Sequence, residues 1–269
     1  ECTRTAHAMK TILTAAVFVL FAIATPVAWA ACSSPAGIAG DTLFNKDFRV
    51  LQYCDGSNWQ AMESVQWTPL AVTFDGVAAY LIRGAQLTGV TTGRKVSASF
   101  WFRRNGGFGS DQYVFSHQSA ATPRPGIWFN TSDQLEVIFR DGSGTAKIRI
   151  QSNRVFTDSN WHHAMFSFDN TTSSSPMYLY VDGAKDNMNI QTQSASTDMS
   201  WQPADVSVGA YASGSMFFDG DLADFWLDYN TGLDLSSTAV RNKFYKNGQP
   251  VYLGATGSLP TGTAPELYL

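Results

Sequence analysis

Apolar and polar side chains alternate with a period of two along much of this chain. Over residues 95–103, Val96, Ala98, Phe100 and Phe102 fall on one side, and Ser97, Ser99, Trp101 and Arg103 on the other. Leu135, Val137 and Phe139 alternate with Glu136, Ile138 and Arg140. Ala164, Phe166 and Phe168 alternate with His163, Met165 and Ser167. Leu179 and Val181 alternate with Tyr178, Tyr180 and Asp182. Residues 222–229 are apolar on both sides. This period is that of β-strands. Asp-Gly pairs at Asp75, Asp141, Asp182 and Asp219, and Asn-Gly at Asn247, supply turn residues between the runs. Many short strands without alternating helices predict an all-β sandwich of two antiparallel sheets. One helix is predicted near residues 237–245, with Ser236 or Ser237 at its start and Gly248 past its end.

The pattern before residue 67 is different. From Met9, Lys10 precedes an apolar run over residues 12–23, Pro26 breaks it, and Ala28-Trp29-Ala30 supplies small residues for cleavage. This is the layout of a secretory signal peptide over residues 9–30. A membrane anchor is the alternative, but the run is short for a hydrocarbon core of about 30 Å. Residues 1–8 read as sequence upstream of the true start. Residues 31–66 form a small module with strands at 42–45 and 48–53, a turn at Asp55-Gly56, and Trp59 after it. Cys32 and Cys54 remain after cleavage, and an oxidising compartment favours their disulfide. The rival reading makes Cys32 a lipidated N-terminus.

Composition narrows the function. Charged residues are 15% of the chain and hydrophobic residues 44%, which suits strands and polar turns better than charged helices. The formal net charge is −4, and removal of residues 1–30 makes it more negative by one. No basic run exists, so no nucleic-acid partner is expected. After signal cleavage no membrane span is expected either, which predicts a secreted, periplasmic or cell-surface protein.

Several motifs occur in an order that resembles the laminin-G-like domains of the concanavalin A-like lectin-glucanase superfamily. Phe74-Asp75-Gly76 with Ala79-Tyr80-Leu81 is similar to their opening strand. Ser97–Phe102, Trp161-His162-His163-Ala164-Met165 and Tyr178-Leu179-Tyr180-Val181-Asp182-Gly183 follow. Phe218-Asp219-Gly220 and Leu222-Ala223-Asp224-Phe225-Trp226 complete the set. The resemblance covers about residues 67–230 and implies a jelly-roll sandwich. It also implies a Ca²⁺ held between the opening strand and the late acidic strand, at Asp75 and Asp224. The tail from Lys243 resembles the ends of such domains in phage and bacterial surface proteins. There the chain continues, so the sandwich over 67–269 reads as truncated at its C-terminus.

Catalysis finds little support in the residues. A retaining glycosidase needs two carboxyl groups about 5 Å apart, and Glu136 has no acidic partner two residues on. Asp219, Asp221, Asp224 and Asp228 form an acidic run without a Glu. His162 and His163 point to opposite faces of a strand, and no Gly-x-Ser-x-Gly elbow is present. Sugar binding would use aromatic faces with a few polar groups. The strand phases put Trp101, His163, Tyr178 and Tyr180 outward together, as a candidate ligand face. Trp128, Trp201 and Tyr211 form a second candidate set. The plainer alternative is that these aromatics cover the core or contact the N-terminal module. The expectation is an exported, non-catalytic carbohydrate-binding or adhesion protein. The alternatives are a structural or protein-interaction domain of a cell-surface or phage-like assembly, and a glycan-active hydrolase.

Overall fold

In the computed structural model the alternating runs become the inner strands of two sheets. It describes residues 31–33, 35–45, 50–61, 69–84, 87, 92–118, 125–200, 205–212, 214–229 and 231–269. The upstream segment, the signal peptide, Phe48 and Trp201 lie outside these residues. The chain divides into two compact units, residues 1–66 and 67–269.

In the first unit, β1 (Thr42–Asn45), β2 (Val50–Cys54) and β3 (Trp59–Ala61) form an antiparallel sheet in that order. The third strand was not expected. It forms because the Asp55 carboxylate accepts the Ser57 and Asn58 N–H groups, both at 2.8 Å. This reverses the chain and returns Trp59 to Cys54. Cys32 and Cys54 are joined by a disulfide with Cα atoms 5.9 Å apart, which excludes a lipidated Cys32. Trp59 Nε1 donates to the Pro35 carbonyl at 2.8 Å. A sheet this small buries little, and closing 22 residues of chain contributes about 3 kcal/mol. Reduction is therefore expected to raise proteolytic nicking within residues 33–61 on the order of a hundredfold. An unchanged rate, followed by mass spectrometry, would show that the bond does not hold this module.

The second unit begins with β4 (Ala71–Asp75), β5 (Leu81–Arg83), β6 (Lys95–Arg104), β7 (Gln112–Gln118) and β8 (Gly126–Phe129). It continues with β9 (Gln134–Arg140), β10 (Ala146–Val155), β11 (His162–Asp169), β12 (Met177–Val181) and β13 (Ala184–Lys185). It ends with β14 (Asn189–Gln193), β15 (Asp205–Val208), β16 (Asp219–Tyr229), α1 (Thr238–Arg241) and β17 (Leu267–Tyr268). One sheet runs β14-β10-β9-β8-β7-β15-β5. The other runs β13-β12-β11-β6-β16-β17, with β4 also paired to β16. All these pairings are antiparallel. The two inner faces interdigitate through rings: Phe102 lies 5.0 Å from Phe129, Phe115 5.8 Å from Phe225, and Phe139 6.1 Å from Phe166. Among the described residues no helix is long and apolar enough to cross a membrane.

Two expectations change. Asp219-Gly220 is not a turn but the start of β16, opposite Asp75 and Phe74. Glycine is needed there because a Cβ would stand 2.0 Å from the Arg103 carbonyl. The helix is a single turn, with Lys243 and Phe244 N–H groups bonded to carbonyls three residues back. That tightening brings Phe244 and Tyr245 down onto the sheet. The Asn-Gly turn at Asn247 does form a hairpin, with φ of 54° at Asn247 and 79° at Gly248.

Candidate functional site

A sandwich has two outer faces, and here they differ in kind. The outer face of β12-β11-β6-β16 is closed by residues 231–268. Leu235, Phe244 and Leu253 pack there with Met165, Tyr180 and Trp226 as a second core. The tail is also tied down by polar bonds. Ser97 Oγ donates to the Thr231 carbonyl at 2.7 Å, and the Leu233 N–H donates to Ser167 Oγ at 2.8 Å. Trp226 Nε1 donates to the Gly257 carbonyl at 2.8 Å.

This corrects the first predicted ligand face. Trp101, His163, Tyr178 and Tyr180 do point outward from the sheet, as their phases require. Yet Trp101, His163 and Tyr180 are only 8%, 1% and 7% exposed. Tyr245 stacks on Trp101 and His163 with ring centroids 5.6 and 5.1 Å away. The Arg241 guanidinium lies 4.5 Å above the Tyr180 ring. Tyr178, half-buried, donates its hydroxyl to Asp234 at 3.0 Å. The chain fills its own expected binding surface. Burial holds the His163 imidazole neutral, with its pKa pushed down to about 3, and its Nε2 is 2.8 Å from Ser99 Oγ.

The carboxylates implied as calcium ligands are not brought together. Asp75 pairs across the strands with Asp219, and Asp224 stands five residues further along β16, roughly 16 Å away at 3.3 Å per residue. Ligands of one Ca²⁺ must each lie 2.3–2.6 Å from it. Asp75 instead accepts the backbone N–H groups of Val77, Ala78 and Ala79 at 2.8–2.9 Å, bonds that hold its pKa down to about 2. Asp224 accepts the Tyr268 hydroxyl at 3.0 Å. Among the described residues no three His, Cys, Asp or Glu side chains converge to hold an ion.

The outer face of the other sheet carries Trp128 and Tyr211 of the second predicted set, while Trp201 lies outside the described residues. Trp128 on β8 pairs across the strands with Tyr113 on β7, and the two rings stack at 5.3 Å and 11°. Tyr211, from the segment after β15, leans on Tyr113 at 4.8 Å and 51°. Tyr113 thus joins Trp128 to Tyr211, and sequence reasoning missed it. Its ring lies over Gly126, where a Cβ would come 3.0 Å from it. Beside Trp128 on the neighbouring strand is Glu136. Arg149 forms an ion pair with Glu136, and Asn130 Nδ2 donates to it at 3.2 Å. Gln134, Gln151 and Gln191 continue the row through amide–amide hydrogen bonds. Burial, the largest influence, raises the Tyr113 pKa well above the usual phenol value. Its hydroxyl therefore remains a donor. Trp128 is itself only 7% exposed and backs the Tyr113 ring. The partly exposed Tyr113 and Tyr211 rings, flanked by amides and a guanidinium group, can meet a flat, hydroxylated ligand.

A family model described as "Concanavalin A-like lectin/glucanases superfamily", of the laminin G type, matches residues 75–231. The chain belongs to that superfamily. A native heptameric pentraxin from Limulus polyphemus is similar at 13% identity and TM-score 0.46, over 62% of this chain and 78% of that one. Domains LG4-5 of the mouse laminin α1 chain are similar at 18% identity and TM-score 0.41, over 67% of this chain and 46% of theirs. A putative carbohydrate binding protein from Bacteroides ovatus is similar at 14% identity and TM-score 0.44, over 63% of this chain and 46% of that one. The chain thus spans less than half the length of the last two. No curated protein matches it at a significant level.

The concanavalin A-like superfamily takes its name from both lectins and glucanases, so the carboxylates decide much. Glu136, the nearest candidate acid, is 3% exposed and committed to Arg149 and Asn130. Asp221 is likewise engaged, by the Thr73 hydroxyl at 2.6 Å and by Arg103 at 2.7 Å. His162 is held by carboxylates on both sides, with Asp182 at 2.9 Å and Asp158 at 3.0 Å.

Proposed function

We propose that this chain is an exported, non-catalytic carbohydrate-binding protein whose glycan lies against Tyr113 and Tyr211, with Trp128 as the buried backing of Tyr113. The observation that carries this reading is the aromatic cluster and its hydrogen-bonding margin on one outer face, while the chain's own tail occupies the other. Aromatic faces take the apolar C–H faces of sugar rings, and the Gln134 and Gln151 amides and Arg149 take hydroxyls. The engagement of Glu136 by Arg149 supports binding over hydrolysis, because a carboxylate held by a guanidinium is poorly placed to act as acid or nucleophile. The disulfide supports an oxidising compartment.

The test is glycan titration of the full chain. Tyr211→Ala is expected to weaken the best glycan by about threefold to tenfold, since an aromatic contact of this kind is worth roughly 0.5–1.5 kcal/mol. Tyr178→Ala, on the tail-covered face, is expected to leave affinity unchanged. Equal affinity of wild type and Tyr211→Ala would remove the glycan from this face.

A further inference from the structure

We propose that the Tyr113–Trp128 face selects carboxylated glycans, chains bearing uronic acids, through Arg140. This rests on the carbohydrate reading above and adds the class of sugar. The outward row of β9 is Gln134, Glu136, Ile138 and Arg140. Two guanidinium groups, Arg140 and Arg149, therefore share an outward face with Glu136. That carboxylate is taken by Arg149. Arg140 forms no ion pair among the described residues.

Its hydrogen bonding is also incomplete. Nη1 donates to the Gly144 carbonyl at 3.0 Å, while Nε is buried and has no partner. A buried donor left unmade is costly and calls for an acceptor. The Tyr113 ring lies over Gly126, which is opposite Ile138 on β9, and Arg140 is the next outward residue of that strand, beside the aromatic cluster. Burial and the neighbouring Arg149 both disfavour its charged form, so an incoming anion would relieve two penalties together. A planar carboxylate can accept two parallel N–H groups from the Nη end of a guanidinium. The surplus cation is local, because the chain as a whole carries a formal charge of −4.

The experiment titrates the full chain by calorimetry with polygalacturonate and with the same polymer after its carboxyl groups are reduced to alcohols. Polygalacturonate is expected to bind about tenfold tighter or more. In Arg140→Gln that ratio is expected to fall toward one, with the affinity for the reduced polymer unchanged. If both polymers bind wild type equally, the carboxylate selection is wrong and the carbohydrate reading stands. If neither these nor any neutral glycan binds, the carbohydrate reading itself falls, and this inference with it. If poly-glutamate binds as tightly as polygalacturonate, the face recognises charge without sugar, and the proposal is overturned. Should Arg140→Gln not fold, the polymer comparison on wild type still decides.

Discussion

Replacing Arg104 with Met is expected to lower the stability of the sandwich by about 3–5 kcal/mol. Arg104 is 1% exposed and lies at the end of β6. Its Nη1 donates to Asp133 at 2.8 Å and to the Phe156 carbonyl at 2.7 Å, and Nε and Nη2 donate to Gln112 at 3.3 and 3.2 Å. The rings of Phe108 and Phe129 lie 4.8 and 4.7 Å from the guanidinium. Desolvation disfavours its charge, and Asp133 is the main compensation. Met keeps much of the volume but strands the Asp133 carboxylate, whose remaining bond is to the Gly109 N–H at 2.8 Å. Urea unfolding should show a lower midpoint with an unchanged slope. Adding Asp133→Asn to Arg104→Met should restore part of the loss, because the stranded charge is gone. A loss under 1 kcal/mol would mean that the network contributes little.

The second large effect is on pH dependence. A histidine in an unfolded chain titrates near 6.5, whereas His163 is held near 3. Between these values the unfolded chain binds a proton that the folded chain refuses. Stability from His163 is therefore complete above about pH 6.5. It is lost as pH falls, by up to about 1.4 kcal/mol per pH unit. His162 acts oppositely. Asp182 and Asp158 raise its pKa against partial desolvation, so its contribution is complete below 6.5 and lost as pH rises through the folded value. Asp228 and Glu266, raised by burial, gain stability as pH falls and blunt the acid loss. The decisive comparison is thus wild type against His163→Gln by chemical denaturation between pH 4.5 and 7. The variant is less stable throughout, having lost the Trp101 and Tyr245 contacts, but its acid slope should be shallower by His163's share. Equal slopes would show that His163 is not held neutral in the folded chain.

Strand phase was legible where the period of two ran unbroken. Val96, Ala98, Phe100 and Phe102 all face the core, as do Leu135, Val137 and Phe139. The outward residues were read correctly in direction and wrongly in environment. Direction follows from the backbone, but cover depends on a distant segment whose Leu235, Phe244 and Leu253 follow no strand or helix period. One signal was available: residues 222–229 are apolar on both sides, which fits a strand buried on both faces. Arg104 was legible in the same way, since its phase with Phe102 points it inward. Tyr113 was hidden by a bulge in β7 between Tyr113 and Phe115. It turns both Val114 and Phe115 into the core and erases the alternation. Family position alone implied Asp75 and Asp224 as a calcium pair, whereas the strand register places Asp224 five residues along β16 from the partner of Asp75.

The covering tail also gives assembly a direction in time. Ser99 on β6 pairs with Met165 and then with Trp226, and the segment that caps all three follows later still. A chain made or threaded from its N-terminus must therefore carry Trp101, Met165, Tyr180 and Trp226 bare until its final stretch emerges. A holdase that grips aromatic faces would find its purchase there and be evicted by the molecule's own tail. In the folded sandwich Trp101, Met165, Tyr180 and Trp226 are all covered.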